Sequence, residues 1–242
     1  MKLHVHEWGT GNRIALLIHG LFADHQSWWR VGPALAEQGY HVLAPDLRGH
    51  GRSNRGEYTP EQWAADLIET LPKKADLAIG HSLAGMALAI AAPQLEVQRA
   101  IYVDPAWKMT PDQHLSFAAT WRGQLNWTTD QWIQANPRWA AGDIEARVSS
   151  MKTFDPKCIV GLAPGDGHDH MPRSIGCPSL VLIADPSPFV TEEDQKELES
   201  CGMDAWKLKG TSHSMFREDF DLFMGSIHRW DHQTSIAQIR EA

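Results

Sequence analysis

The chain has 242 residues, 43% of them hydrophobic and 21% charged, and a formal net charge of −8. That length fits one α/β domain with an insertion, or two small domains, and supplies enough apolar residues for a sizeable core. The acidic balance, with Lys and Arg scattered, argues against nucleic acid and anionic membrane surfaces as partners, and no apolar run approaches the ~18 residues of a membrane span. Cys158, Cys177 and Cys201 form neither a CxxC pair nor a metal-ligand spacing, which suits free thiols in a reducing compartment. The segment Met1 to Glu7 lacks the apolar stretch of a signal peptide, so a cytoplasmic location is expected.

Short apolar runs alternate with helix-like segments. Leu3 to Glu7 reads as an edge strand, expected to pair antiparallel. Arg13 to Ile18 is a continuous apolar run that reads as a buried strand. Val31 to Gln38 has helical spacing and stops at Gly39. His41 to Ala44 is a further strand, closed by Pro45-Asp46. Thr59-Pro60-Glu61 reads as an N-cap with proline at the first helical position, opening a helix to about Thr70. Asp76 to Ile79 is a strand that turns at Gly80 into a small-residue helix from Leu83 to Ala92. Arg99 to Val103, Ser179 to Ala184 and Asp204 to Leu208 read as later strands, and Phe216 to Trp230 as the final helix.

Strands alternating with helices predict an α/β fold with a mostly parallel central sheet covered by helices on both faces. From Ala106 to Ile175 the strand signal disappears, and Pro111, Pro137, Pro156 and Pro164 break the segment. It reads as a helical cap, residues 106–175, inserted into a core formed by residues 1–105 and 176–242. The chain holds 11 tryptophans. Trp107, Trp121, Trp127, Trp132 and Trp139 fall in or beside this stretch, and two readings are balanced: packing of a poorly layered subdomain, or an aromatic-walled pocket.

The strongest local signal is Gly80-His81-Ser82-Leu83-Ala84-Gly85. A strand ends, one turn follows, and a helix begins at once. A serine at that corner is forced outward on a tight turn, small neighbours let the strand and helix backbones approach, and the helix N-terminus offers N–H groups to a developing oxyanion. The competing reading is an ordinary Ser N-cap.

Other motifs follow in order: Ile18-His19-Gly20-Leu21-Phe22, then Asp46-Leu47-Arg48-Gly49-His50-Gly51-Arg52-Ser53, then Cys177-Pro178-Ser179-Leu180, then Gly210-Thr211-Ser212-His213. Together with the serine turn they resemble the α/β-hydrolase fold superfamily, in particular serine-nucleophile esterases and lactonases with a helical cap. The G-x-S-x-G elbow is matched except that Ala84 stands at its second glycine. The resemblance implies Ser82 as nucleophile, His213 as general base, and the backbone N–H groups of Leu21 and Leu83 as oxyanion hole. It implies no cofactor and no catalytic metal.

The triad acid is open. Register matching puts Ser187 at the family's usual acid position, and a serine cannot carry the charge that stabilises an imidazolium. Two carboxylates compete: Asp104, which ends a strand where some cap-bearing relatives keep their acid, and Asp185. Asp104 is preferred, although either can be a strand-end carboxylate that only fixes its X-Pro turn. Gly165-Asp166-Gly167-His168-Asp169-His170 reads as a polar return loop rather than a metal site, because nothing else completes a coordination sphere.

The expected activity is hydrolysis of a small ester or lactone through a Ser82 acyl-enzyme, with a largely apolar or aromatic substrate. C–C bond hydrolysis of a diketone-type substrate uses the same groups. Epoxide hydrolases and dehalogenases of this resemblance place aspartate where Ser82 stands. A ligand-binding protein on a hydrolase scaffold is the alternative of a different class. The substrate's identity and the oligomeric state are not written in the sequence.

Overall fold

The computed structural model describes residues 1–241. Its elements in chain order are β1 (Val5–Trp8), β2 (Arg13–Ile18), α1 (Val31–Glu37), β3 (Tyr40–Pro45), α2 (Pro60–Thr70), β4 (Leu77–His81), α3 (Leu83–Leu95), β5 (Ala100–Val103) and β6 (Lys108–Met109). There follow α4 (Pro111–Gln124), α5 (Thr129–Ala135), α6 (Ala141–Met151), α7 (Lys157–Leu162), β7 (His168–Asp169), β8 (Ser179–Asp185), α8 (Glu192–Ser200), β9 (Asp204–Lys209), α9 (Met215–Glu218) and α10 (Phe220–Glu241).

Seven strands form one sheet in the order β1-β3-β2-β4-β5-β8-β9. Only β1 runs antiparallel, at the edge against β3; the remaining pairs are parallel. Alternation within each strand divides the core. Ala15, Leu17, Val42, Ile79, Ile101 and Leu182 face the side covered by α1 and α10. Leu16, Ile18, Leu43, Ala78, Tyr102 and Val181 face the side covered by α2 and α3. Both faces of the central strands are therefore dry, which explains why those strands read as apolar runs, whereas the edge strands β1 and β9 are polar and partly exposed. Helix α3 is buried along most of its length, as its Ala-rich sequence requires.

Local chemistry explains the boundaries. Thr59 accepts a hydrogen bond from Gln62 N–H and Pro60 opens α2, as the cap signature predicts. Gly39 follows α1 at φ +86°, the left-handed geometry that ends a helix cheaply only at glycine. Two expectations need correction. The final helix is two helices, because the chain kinks at Asp219 (φ −145°) between α9 and α10. The insertion is not free of strands either: β6 and β7 form a two-residue antiparallel ladder, too short to leave a pattern of alternation in the sequence.

Four helices, α4 to α7, occupy the segment between β5 and β8. This segment is fastened to the loops that follow β2 and β3 by polar contacts. Ser150 Oγ donates to the Phe22 carbonyl (2.7 Å), Trp29 Nε1 donates to Asp143 (3.0 Å), and Tyr58 donates to Asp155 (2.7 Å).

Buried histidines make this fold acid-sensitive. Burial pushes His19, His50 and His81 down from 6.5, His50 to about 3 and His81 well below its ordinary value. As pH falls below 6.5 the unfolded chain takes up protons that these rings refuse, so stability declines on acidification. His25 works in the opposite sense. Burial would lower it, but the hydrogen bond to Asp46 together with the charges of Asp46 and Asp24 raises it, so its contribution is present below 6.5 and fades as pH rises through its folded value. At pH 5 a ring such as His50 costs about 2 kcal/mol relative to pH 7.5. Burial lowers His6, His114 and His168 as well, so with His25 alone opposing, the urea midpoint at pH 5 is expected to lie clearly below that at pH 7.5; equal midpoints would contradict the buried neutral assignment.

Candidate active site

The site is assembled at the C-terminal edge of the parallel strands, the edge where open α/β sheets bind ligands. Strand β4 ends at His81, and Ser82 takes φ +55° and ψ −116° before α3 starts at Leu83. That conformation is costly for a residue with a Cβ, and it persists because the flanks pin it. Ser82 N–H donates to the Val103 carbonyl (3.0 Å), and the Ser82 carbonyl accepts from Gly85 (2.8 Å) and Ala106 (3.2 Å). The tight packing also accounts for the elbow's composition. A Cβ on Gly80 would lie 2.9 Å from the Ala84 carbonyl oxygen, and one on Gly85 would lie 2.5 Å from Pro105 Cβ. The close approach thus falls at Gly80 and Gly85, while Ala84 is accommodated, fully buried.

Neighbouring strand β5 ends at Val103 and delivers Asp104, wholly buried and also at positive φ (+40°). Asp104 Oδ2 lies 2.7 Å from His213 Nδ1. Its other oxygen accepts from Ala184 N–H (3.2 Å) and Ser187 Oγ (2.6 Å). Ser187 Oγ in turn accepts from the N–H groups of Phe189 (3.1 Å) and Val190 (2.9 Å). The residue at the usual acid position has therefore become a donor to a carboxylate carried on the adjacent strand. Asp185 lies elsewhere in this arrangement: it ends β8, and its carboxylate makes no hydrogen bond to His213.

His213 sits in the loop after β9. Its backbone carbonyl accepts from His81 Nε2 (2.9 Å), and its ring packs on His81 (centroids 4.6 Å) and Phe189 (4.9 Å). Burial keeps His81 neutral, so the elbow histidine acts as a fixed donor that holds the loop of His213. The Leu21 and Leu83 N–H groups donate to no backbone carbonyl in the surrounding turns and caps. The Asp46 loop, by contrast, is scaffolding. Arg48 makes a bidentate pair with Asp66 (2.5 and 2.7 Å), and Asp46 accepts from the N–H groups of His25 and Arg52. Burial would raise Asp46, but the His25 hydrogen bond and its other partners hold it at about 2.

Ser82 and His213 open into a cavity of about 220 Å³. Trp121, Trp132 and Trp139 of the insertion line it together with Phe117, Phe189 and Arg147. Both readings of the tryptophans hold in part. Trp107 is core, against Tyr102 (4.8 Å), and Trp127 backs Trp132 (4.8 Å), whereas the other three form wall. Residues that sequence reasoning did not single out are Ser187 as a donor, Phe189 and Arg147. For Arg147 a signal existed: it shares the buried stripe of α6 with Asp143 and Ser150.

In the histidine-rich loop, both ring nitrogens of His168 are already hydrogen-bonded. Gly165 and Gly167 N–H donate to His114 Nδ1 (3.1 Å each), His114 Nε2 pairs with His168 Nδ1 (2.8 Å), and His168 Nε2 meets the Ala106 carbonyl (2.9 Å). One tautomer for each ring satisfies the whole chain of bonds. Among the described residues, His4, His25 and Asp46 bring possible metal-ligating atoms within 4.8 Å of one another, but both Asp46 oxygens already accept N–H groups. No described helix is long and apolar enough to cross a membrane.

A parallel sheet with a serine elbow on one strand, an aspartate on the next and a histidine loop beyond the last defines a hydrolase scaffold. The chain belongs to the alpha/beta hydrolase family, whose model matches residues 15–224. It is 43% identical over 76 residues to "Epoxide hydrolase A" of Mycobacterium tuberculosis, a match covering 29% of this chain and 24% of that protein. The matched segment thus spans about a quarter of that relative. Among solved structures it resembles the enol-lactonase from Burkholderia xenovorans LB400 (TM-score 0.74, 22% identity, 94% of this chain and 95% of that one). It also resembles an esterase from Exiguobacterium antarcticum (TM-score 0.76, 14% identity, 94% of each chain). At these identities the likeness is one of fold.

Proposed function

We propose that the chain is a serine hydrolase of small esters or lactones, with Ser82 as nucleophile, His213 as general base and Asp104 as the acid that orients it. The observation that carries this reading is the Asp104–His213 hydrogen bond of 2.7 Å beside a cavity that Ser82 and His213 both line. The buried carboxylate accepts the Nδ1 proton, which leaves Nε2 with a lone pair to take the Ser82 proton. Ser82 Oγ then attacks the carbonyl carbon, and the N–H groups of Leu21 and Leu83 receive the negative charge that develops on oxygen. The imidazolium returns its proton to the departing alcohol, leaving Ser82 acylated. Water, deprotonated by His213, then releases the acid. The helical segment over the site acts as a cap that excludes solvent.

A serine at the usual acid position would suit a ligand-binding protein on this scaffold; the Asp104 carboxylate against His213 supports catalysis instead. Epoxide ring opening, the activity in one relative's name, is disfavoured because serine occupies the position of the aspartate nucleophile. Hydrolysis of p-nitrophenyl acetate and butyrate tests the proposal. Turnover lost in Ser82→Ala supports it, and turnover independent of Ser82 overturns it. Ser187→Ala is expected to lower kcat roughly tenfold, because a hydrogen bond to a charged acceptor is worth about 1.5 kcal/mol or more. An unchanged kcat would show that Ser187 is only a turn residue.

A further inference from the structure

Arg147 is the most anomalous side chain in the cavity. It is 7% exposed, and no carboxylate or carbonyl among the described residues accepts from its guanidinium; Nε is fully enclosed without a partner. What surrounds it is aromatic: Trp132, Trp139 and Phe22, with ring centroids 5.0, 5.5 and 5.8 Å from Cζ. Aromatic faces attract a cation, but they accept nothing from the N–H groups in the guanidinium plane. Trp139 Nε1, on the same wall, is likewise buried without an acceptor. Behind it Arg217, 2% exposed, lies 4.4 Å from the Trp139 ring with Nε and Nη1 unpaired.

The nearest acids do not discharge this cluster. Asp143 is held by Arg30 and Trp29, and Asp24 is bound to the N–H and side-chain amide of Gln26. Burial and the charge of Arg217 push the Arg147 guanidinium well below its usual range. A buried charge without a partner is costly, and this one borders the cavity that Ser82 and His213 line.

We propose that Arg147 is the receptor for a carboxylate on the substrate, so that the esters or lactones hydrolysed are small acid-bearing ones. This rests on the serine hydrolase reading for the reaction, though not for the binding. One guanidinium facing the cavity matches one carboxylate group, and its planar fork fits that carboxylate in two parallel hydrogen bonds. The aromatic wall receives the aliphatic part of the substrate, and the cavity's modest volume favours a short chain between carboxylate and ester.

The test compares monoethyl glutarate with ethyl pentanoate, length-matched apart from the charge, by pH-stat titration in wild type, Arg147→Met and Arg147→Lys. Wild type is expected to favour the acid by more than about tenfold in kcat/KM, and Arg147→Met to lower that ratio at least tenfold, with partial recovery in Arg147→Lys. A wild-type ratio near one, or a ratio that survives in Arg147→Met, overturns the proposal. A second readout does not depend on turnover. Glutarate should raise the Tm of wild type and of Ser82→Ala, pentane-1,5-diol should not, and Arg147→Met should not respond to glutarate. If neither ester is hydrolysed, or hydrolysis ignores Ser82, the proposed reaction fails, and the glutarate shift alone decides: a shift that needs Arg147 supports the carboxylate site, and its absence overturns it.

Discussion

Ser82→Ala is expected to reduce ester turnover by about 10⁶-fold, the scale seen when the nucleophile of a serine triad is removed, while Tm changes by no more than a few degrees. The two halves of that expectation come from different parts of the structure. In the proposed mechanism activity depends on Oγ, the atom that His213, oriented by Asp104, would activate. The fold depends instead on the Ser82 backbone, which donates to Val103 and accepts from Gly85 and Ala106. Alanine can keep those bonds, and it meets the same backbone strain at φ +55° that serine does. Hydrolysis progress curves and a thermal melt on the same preparation check both halves. A large fall in Tm would mean that lost activity reported lost structure, and the variant would say nothing about chemistry.

The second large effect falls on the acid. Asp104→Asn is expected to lower kcat by about 10⁴-fold, and Asp185→Asn to leave it within a few fold. The argument concerns the tautomer more than the charge. Asp104 Oδ2 faces His213 Nδ1 at 2.7 Å, and an ionised carboxylate can only accept, so the ring proton stays on Nδ1 and Nε2 is free to act as base. Ser187 Oγ and the Ala184 N–H already donate to Oδ1. An asparagine would therefore keep its carbonyl oxygen toward those donors and turn its NH₂ toward His213. The imidazole would then carry its proton on Nε2 and could not accept one from Ser82, which is the origin of the loss in comparable triads. Steady-state kinetics of the two Asn variants side by side distinguish the aspartates. Damage confined to Asp185→Asn would contradict Asp104 as the acid.

The central strands were legible because burial on both faces writes each of them as an apolar run, and the caps were legible because Thr59, Pro60 and Gly39 act within a few residues of themselves. Strand order was not legible. That β3 lies between β1 and β2 depends on pairing between distant segments, and a run such as His41 to Ala44 looks the same in any position of a parallel sheet. The same difference separates the site residues. Ser82 is announced by its own neighbours, because the turn needs Gly80 before it and Gly85 after it. The proposed acid is not announced, because Asp104 and Ser187 stand 83 positions apart in the chain and meet only through the pairing of β5 with β8. Adjacent strand ends can both reach His213, so sequence register alone left Asp104 and Asp185 in competition.

The insertion was harder to read for another reason. Trp107 and Trp139 both lie in loops that flank helices or strands of this segment, where no periodicity marks a buried face, so core and cavity wall look alike until the segment packs on the sheet. Arg147 was hidden more thoroughly. Charged residues in a helix are ordinarily solvated, and only the stripe it shares with Asp143 and Ser150 hinted otherwise. Its burial depends on how α6 meets the core, through Ser150 on the Phe22 carbonyl and Asp143 on Trp29 and Arg30.

The most direct test of the central claim is covalent labelling by a fluorophosphonate, followed by peptide mass mapping of wild type, Ser82→Ala and Asp104→Asn. The account predicts a single label on the peptide that carries Ser82, none there in Ser82→Ala, and much slower labelling in Asp104→Asn. A wild-type protein that stays unlabelled, or a label on a different serine, would contradict an activated nucleophile at the elbow.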